Sequence, residues 1–200
     1  ASRYLSRENS SRLLMVGTGN LAPHLVMAHA TARPISEVLI WGRRESVANE
    51  LATQIAQAGL KAQAAGDLES AVGQVDIISC ATLASDPLIE GEWLSEGQHL
   101  DLVGAFRPDM READDEAIRR ANVYVDTRTG ALSEAGEMVQ GIASGAISED
   151  DICGELSDLA MGRVPGRQDD AAITLFKSVG TALEDLAAAE LTMQNCRVAG

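Results

Sequence analysis

A doubly wound α/β fold, with a mostly parallel sheet and helices on both of its faces, is the class this 200-residue sequence predicts. Three observations predict it. Short apolar runs alternate with helix-like stretches at close spacing, as strand–helix–strand units do. The runs are continuous rather than alternating with polar residues, which suits strands buried on both faces. The first run, Leu13-Leu14-Met15-Val16, leads directly into Gly17-Thr18-Gly19-Asn20-Leu21-Ala22, a G-x-G-x-x-A turn, and then into a helix-like stretch.

The elements follow in order. Arg12–Gly17 reads as a strand and Asn20–Ala32 as a helix, with Pro23 in its opening turn, where a missing N–H costs nothing. Glu37–Trp41 (EVLIW) is the second strand, and Ser46–Ala58 a helix with Val47, Leu51 and Ile55 on one face. Leu60–Ala64 is a weaker strand, and Asp67–Val72 a short helix with Asp67 as its N-cap. Val75–Cys80 and His99–Val103 are strands, Ala113–Ala121 a helix, and Asn122–Val125 a strand. After Asp126 the character changes to short, acidic, Gly-interrupted helical pieces over 127–168. Ile173–Cys196 reads as one long amphipathic helix, with Leu183, Leu186, Ala187 and Leu191 spaced for a single buried face. The expected division is therefore a connecting helix ending within 1–11, a sheet domain over 12–170 and a C-terminal helix over 171–200. Ala1–Arg7 lacks a starting Met and reads as the end of a helix, so an upstream portion is expected.

Composition narrows the function. A chain of this length buries roughly 70% of its unfolded surface, enough for a core without staples. Aromatics are only 3%, so Ala, Leu, Val and Ile must build that core. Cys80, Cys153 and Cys196 are widely spaced and form no CxxC or Cys/His cluster, which points to reduced thiols in a cytoplasmic protein and to no metal. No apolar run reaches membrane-spanning length. The net charge of −14 argues against nucleic acid as a partner. The charge is uneven, however. Residues 1–44 hold six arginines against two glutamates, a net of +4, while the remainder is strongly acidic. The basic part carries the glycine turn, so it can hold an anion locally.

Each small residue of that turn has a physical task. Gly17 lets the chain leave a strand sharply, Gly19 admits a pyrophosphate close to backbone, and Ala22 lets the helix pack on the sheet. The helix start adds free N–H groups and a partial positive charge. Together these indicate a Rossmann-type dinucleotide site; the alternative is a turn whose glycines only pack. The end of the second strand chooses the cofactor. An acidic residue there would accept hydrogen bonds from a ribose 2′-OH, whereas arginine would neutralise a 2′-phosphate. This chain has Gly42-Arg43-Arg44, and Glu45 comes too late. NADP(H) is therefore expected over NAD(H), with NAD(H) possible; the alternative is a solvated arginine pair. The loops Cys80-Ala81-Thr82-Leu83-Ala84 and Val103-Gly104-Ala105-Phe106 are expected on the nicotinamide side, because ligands sit at the carboxyl ends of such strands.

Catalytic groups are not evident. No P-loop lysine, HExxH or GxSxG motif occurs, and Tyr124 is followed four residues on by Arg128 rather than lysine. His24, His29 and His99 read as structural, Lys177 as solvent-facing, and Arg107, Asp109 and Arg111 as surface ion pairs.

Four stretches, VGTGNLA (16–22), VGAFRPDMRE (103–112), VYVDTRTGALSEAGE (123–137) and ITLFKSVGTALEDLAAA (173–189), together resemble the ornithine cyclodeaminase/mu-crystallin family. The resemblance implies a nucleotide-binding domain joined to a dimerising substrate domain built mostly from an N-terminal segment, to which the C-terminal helix returns. It implies a homodimer formed through that segment, which would also supply the lysine and arginine that hold substrate carboxylate. It places Thr18, Gly19, Asn20 and Leu21 on the pyrophosphate, and Arg43 and Arg44 on the 2′-phosphate. Ala81, Thr82 and Leu83 would flank the track to the nicotinamide, and Val103 and Ser178 would approach the ring. Members that cyclise ornithine, and the related alanine dehydrogenases, carry an aspartate as acid/base two residues after the loop glycine; here Phe106 stands there and cannot shuttle a proton. The sequence looks more like the ketimine-reductase branch. The leading expectation is an NADPH-dependent reductase of a small cyclic imino acid such as Δ1-pyrroline-2-carboxylate. Ornithine cyclodeamination with NAD is second, and a non-catalytic NADPH and ligand binder third.

Overall fold

The computed structural model describes residues 1–199. Its frame is an eight-stranded sheet whose strand pairs are all parallel. The chain opens with a single helical turn, α1 (Ser2–Leu5), before β1 (Arg12–Val16), α2 (Ala22–Ala32), β2 (Glu37–Trp41), α3 (Glu45–Gln57) and β3 (Lys61–Ala64). Then come α4 (Leu68–Val72), β4 (Ile77–Cys80), β5 (His99–Leu102), α5 (Asp115–Arg120) and β6 (Ala121–Val125). The last third contains α6 (Arg128–Glu134), α7 (Gly136–Ser144), β7 (Ile152–Glu155), α8 (Leu156–Ala160), β8 (Ile173–Lys177) and α9 (Ala182–Ala199). The spatial order is β3-β2-β1-β4-β5-β8-β6-β7. The direction of winding reverses between β1 and β4, and such a point leaves a crevice at the strand ends.

Alternate residues of each strand feed two cores. On one face Leu14, Val16, Ile78, Leu100, Leu102 and Leu175 pack against helices α4 to α7. On the other, Leu13, Met15, Val38, Ile40 and Ile77 pack against Val26 of α2 and Ala48, Leu51 and Ile55 of α3. The far half of that second face is closed by Leu5 of α1 and Leu159 of α8 over Tyr124 and Phe176. Local chemistry sets the helix starts: Asp67 accepts from Ser70 N at 2.8 Å, as expected, and Asp114 caps α5 through Ala117 N.

Two expectations fail. Residues 173–177 are not the start of the long helix; they form β8, inserted between β5 and β6. Both neighbours supply ladder partners, so the strand satisfies its backbone groups in the sheet interior. Gly180, at φ +88°, breaks the chain before α9 begins. Leu183, Leu186 and Leu191 are 71%, 55% and 58% exposed, and Ala187 is exposed as well, so their shared face does not pack back on the sheet. The stretch 127–168 is not purely helical either, because β7 forms the sheet edge beyond β6. Among the described residues no helix is long and apolar enough to cross a membrane.

Candidate functional site

A cleft of about 450 Å³ opens where the sheet order reverses, at the carboxyl ends of β1, β2 and β4. Most of the residues singled out in the sequence meet there. Gly17, Thr18 and Gly19 come from the turn after β1, Gly42, Arg43 and Arg44 from the end of β2, and Ala81, Thr82 and Leu83 from the loop after β4. Asn20 and Leu21 are exposed at the opening of α2 and lie outside the lining. Val103 and Ser178 also lie outside it, half-buried after β5 and β8, where Ser178 N donates to Leu102 O at 3.0 Å.

The turn is built for close approach. Gly17 sits at φ +114°, and its N–H donates to Trp41 O at 2.9 Å. A Cβ on it would lie 2.7 Å from Ala81 O and 3.2 Å from Thr82 Cγ2, so no other residue fits. Gly19 differs: a Cβ there would meet nothing within 4 Å, leaving its backbone open for a ligand. Arg43 and Arg44 are exposed, and both guanidinium groups are left for solvent or a ligand. Asp86 is the one carboxylate in the lining. The cleft thus offers backbone and cations to an anion, with little acid–base chemistry of its own.

Beneath the cleft lies a buried charged cluster that the sequence reading did not foresee. Lys177, expected in solvent, is fully buried. Its Nζ lies 3.0 Å from Glu137 Oε2 and donates to Gly104 O. Glu137 Oε1 accepts from Glu112 N at 2.7 Å. Glu112 Oε1 accepts from both Thr82 N at 2.6 Å and Thr82 Oγ1 at 2.8 Å, while its Oε2 is buried without a partner. Burial pushes the Glu112 carboxyl up to about 7, against the pull of Lys177 and of the two Thr82 hydrogen bonds. Ala105 beside it takes φ +48°, alone among the described non-glycine residues. Its N–H donates to Thr82 O at 3.1 Å, which holds the strained turn in place. Asp126, also unforeseen, organises the loop after β8 by accepting from Val179 N at 2.7 Å and Gly180 N at 2.8 Å.

The remaining candidates lie outside the cleft lining. Arg107 and Asp109 form an exposed pair as expected, whereas Arg111 is buried and donates to Ala113 O at 2.7 Å. Phe106 is 46% exposed on the loop after β5. His24 is exposed on α2. On the opposite sheet face His29 Nε2 meets Asp101 Oδ2 at 3.0 Å, Ser79 Oγ donates to the same oxygen at 2.9 Å, and His99 Nδ1 meets Thr174 Oγ1 at 2.9 Å. Burial holds His99 down at about 3. Burial works against the Asp101 carboxylate too, but His29, His99 and Ser79 outweigh it and bring the group to about 2. Among the described residues no group of His, Cys, Asp and Glu is arranged to hold a metal ion.

Known proteins share this architecture. A solved structure of Thermococcus litoralis Δ1-pyrroline-2-carboxylate reductase in complex with NADH and L-proline superposes with a TM-score of 0.93 at 33% identity, covering 96% of this chain and 59% of that one. The Δ1-pyrroline-2-carboxylate reductase of Colwellia psychrerythraea is 43% identical over 196 residues, which are 97% of this chain and 62% of that protein. Mouse ketimine reductase mu-crystallin is 36% identical over 191 residues, 96% of this chain and 57% of that protein. The chain thus spans about three-fifths of the length of the curated relatives it matches. The model of the ornithine cyclodeaminase/mu-crystallin family matches residues 1–199. With the parallel sheet, the glycine turn at its reversal point and these identities in hand, the chain belongs to the ornithine cyclodeaminase/mu-crystallin family.

Proposed function

We propose that this chain is the cofactor-binding portion of an NADPH-dependent reductase that acts on a small cyclic imino acid such as Δ1-pyrroline-2-carboxylate. The observation that carries the cofactor half of the reading is the pair Arg43 and Arg44, exposed beside Gly42 in the wall of the cleft, with no acidic residue at that strand end. The substrate half is supported by the relatives named as Δ1-pyrroline-2-carboxylate reductases. Thr18, Gly19, Asn20 and Leu21 would hold the pyrophosphate, Arg43 and Arg44 the 2′-phosphate. Ala81, Thr82 and Leu83 would flank the chain of the cofactor toward the nicotinamide, with Val103 and Ser178 beyond them. The open backbone at Gly19 supports this fit, since a side chain there would occupy the approach to a phosphate.

When bound, NADPH supplies a hydride to the imine carbon. The chain's own task is positioning and electrostatics. The backbone at Gly17 and Gly19 would hold the pyrophosphate, and the guanidinium groups of Arg43 and Arg44 would neutralise the 2′-phosphate. Phe106 supplies no acid where an aspartate would serve cyclising deamination, which ranks reduction above ornithine cyclodeamination. We read α9, with its exposed leucines, as packing on the substrate-binding and dimerising part of the protein.

The test compares nucleotide affinities of the full-length protein at moderate salt. NADPH should bind roughly ten- to a hundredfold tighter than NADH, about 1.4–2.8 kcal/mol. Arg43→Ala should remove most of that preference while changing NADH affinity little; equal binding of both cofactors by the unmodified protein would sink it. NADPH oxidation on adding a cyclic ketimine supports reduction, and ammonia release from ornithine with no net cofactor turnover overturns it.

A further inference from the structure

Glu112 never reaches the cleft, yet it ties together the loops that shape it. Its side chain takes both donors of Thr82, and its carbonyl accepts from Leu88 N and Ile89 N at 2.9 Å each. Its own N–H is held by Glu137 of α7. Thr82 consequently turns its polar groups inward and lays its methyl under Gly17, where a Cβ on the glycine would come within 3.2 Å of it. The packing leaves no slack. A Cβ on Gly104 would lie 2.3 Å from Glu112 Oε1 and 2.2 Å from Thr82 O.

The charged and titratable groups around this carboxyl come from three packed elements: Cys80 at the end of β4, Glu137 on α7 and Lys177 at the end of β8. One ammonium faces two carboxyl groups. Neither Glu112 Oε2 nor Glu137 Oε2 accepts a hydrogen bond, but Lys177 Nζ stands at ion-pair distance from Glu137 Oε2, so Glu112 is the carboxyl whose second oxygen has neither a hydrogen bond nor an ion pair.

We propose that Glu112 is a positioning residue for nucleotide binding, which in its ionised form clamps Thr82 against the Gly17 turn and so makes the cleft's affinity depend on the charge of a side chain that does not touch the nucleotide. This rests on the reading of the cleft as a dinucleotide site. The physical basis is that hydrogen bonds to a charged acceptor are roughly twice as strong as those to a neutral one. Ionisation of Glu112 therefore stiffens the wall, and protonation relaxes it. Burial places the changeover at about pH 7.

The experiment titrates the full-length protein with NADH, which carries no 2′-phosphate to titrate, from pH 5.5 to 8.5, reading the change in nucleotide fluorescence. The dissociation constant of the unmodified protein should fall about fivefold on going from the acid to the alkaline end. Glu112→Gln keeps an acceptor for Thr82 but cannot ionise, so its affinity should stay flat near the weaker, acid-side value. Thr82→Val removes one hydrogen bond that favours the ionised form; the step should persist with its midpoint raised by about half to one pH unit. That second variant keeps the test alive should Glu112→Gln fold poorly. A pH step of unchanged size in Glu112→Gln, or no step in the unmodified protein that binds NADH, overturns the positioning role and leaves the nucleotide site standing. Absence of NADH and NADPH binding at every pH overturns both.

Discussion

Unfolding exposes His99 to water and lets it take a proton that the folded chain refuses. Its ring is fully buried, one nitrogen meets Thr174 Oγ1, and the other has no partner. The folded group is held at about 3, below the ordinary value near 6.5. Between those limits the unfolded state binds more protons, so stability is whole above pH 6.5 and drains away as pH falls toward 3. Asp101 works in a lower window: its folded value of about 2 lies under its ordinary one, so its contribution is present above pH 4 and lost as pH falls through 2. The expected outcome is a loss of up to about 1.4 kcal/mol per pH unit from His99 between pH 6 and 4, which Glu112, held up at about 7 in the folded chain, offsets above about pH 4.5 because folding there takes up a proton. Denaturant melts at a series of pH values measure it. His99→Gln should lower that slope by one proton; an unchanged slope would show that another group carries it. Lys177 teaches the complementary lesson about reading residues. A lysine is almost never fully buried unless paired, and the pairing here is with Glu137, far away in the chain and brought near only by the fold. Nothing local to ITLFK could reveal it. The place of the cleft arginines, by contrast, was legible because it depends on a strand end and a glycine turn, both local features.

At the scale of elements, the β1–α2 turn separates folding from binding within one motif. Gly17 is needed for the backbone itself, since it combines a left-handed φ with a carbonyl 2.7 Å from any Cβ. Gly19 has open space and no such conformation. Gly17→Ala should therefore destabilise by about 2–4 kcal/mol and disturb the cleft together with the fold. Gly19→Ala should leave stability unchanged or raise it by up to about 1 kcal/mol, through a stiffer unfolded chain. On the proposed reading of the cleft, its nucleotide affinity should nevertheless drop at least tenfold, because the methyl would stand in the phosphate approach. Thermal melts paired with nucleotide titrations check both variants, and tight nucleotide binding by Gly19→Ala would break the argument. The same turn explains why the first half of the fold could be read from sequence: strand, turn, helix and strand alternate there with clear punctuation. β8 could not. A five-residue apolar run looks the same in a buried strand and in a helix, and the run ITLFK continues into a stretch with helical spacing. Its strand character comes from β5 and β6 on either side, which is information held by topology.

For the whole molecule, that insertion means the sheet is closed by its last strand, and one arginine ties the closure to the start of the chain. Arg167 donates to Leu5 O at 2.7 Å, to Ala172 O at 2.5 Å, to Gln98 O at 3.1 Å and to Thr174 Oγ1 at 3.0 Å. The N-terminal segment, the residue that leads into β5, and β8 thus share a single planar fork. Nearby, Asp76 binds Arg7 at 2.6 Å and accepts from the backbone of Ser11 and Arg12, so the first eleven residues are pinned at two points. A chain with a net charge of −14 repels itself, and such internal cationic staples oppose that repulsion where carbonyl oxygens collect. Lysine keeps the charge but cannot reproduce the fork. Arg167→Lys should therefore lose most of what Arg167→Ala loses, about 2–4 kcal/mol, since the fork's hydrogen bonds are lost together; Leu5 O then keeps only Thr174 Oγ1, and Gln98 O keeps Thr174 N. The loss should be local before it is global. Amide exchange should quicken first in β8 and around Leu5, while β1 and β2, packed under α2 and α3, keep their protection. Uniform quickening across the sheet would mean that β8 and the N-terminal segment have no independent opening, and that the fork acts only through global stability.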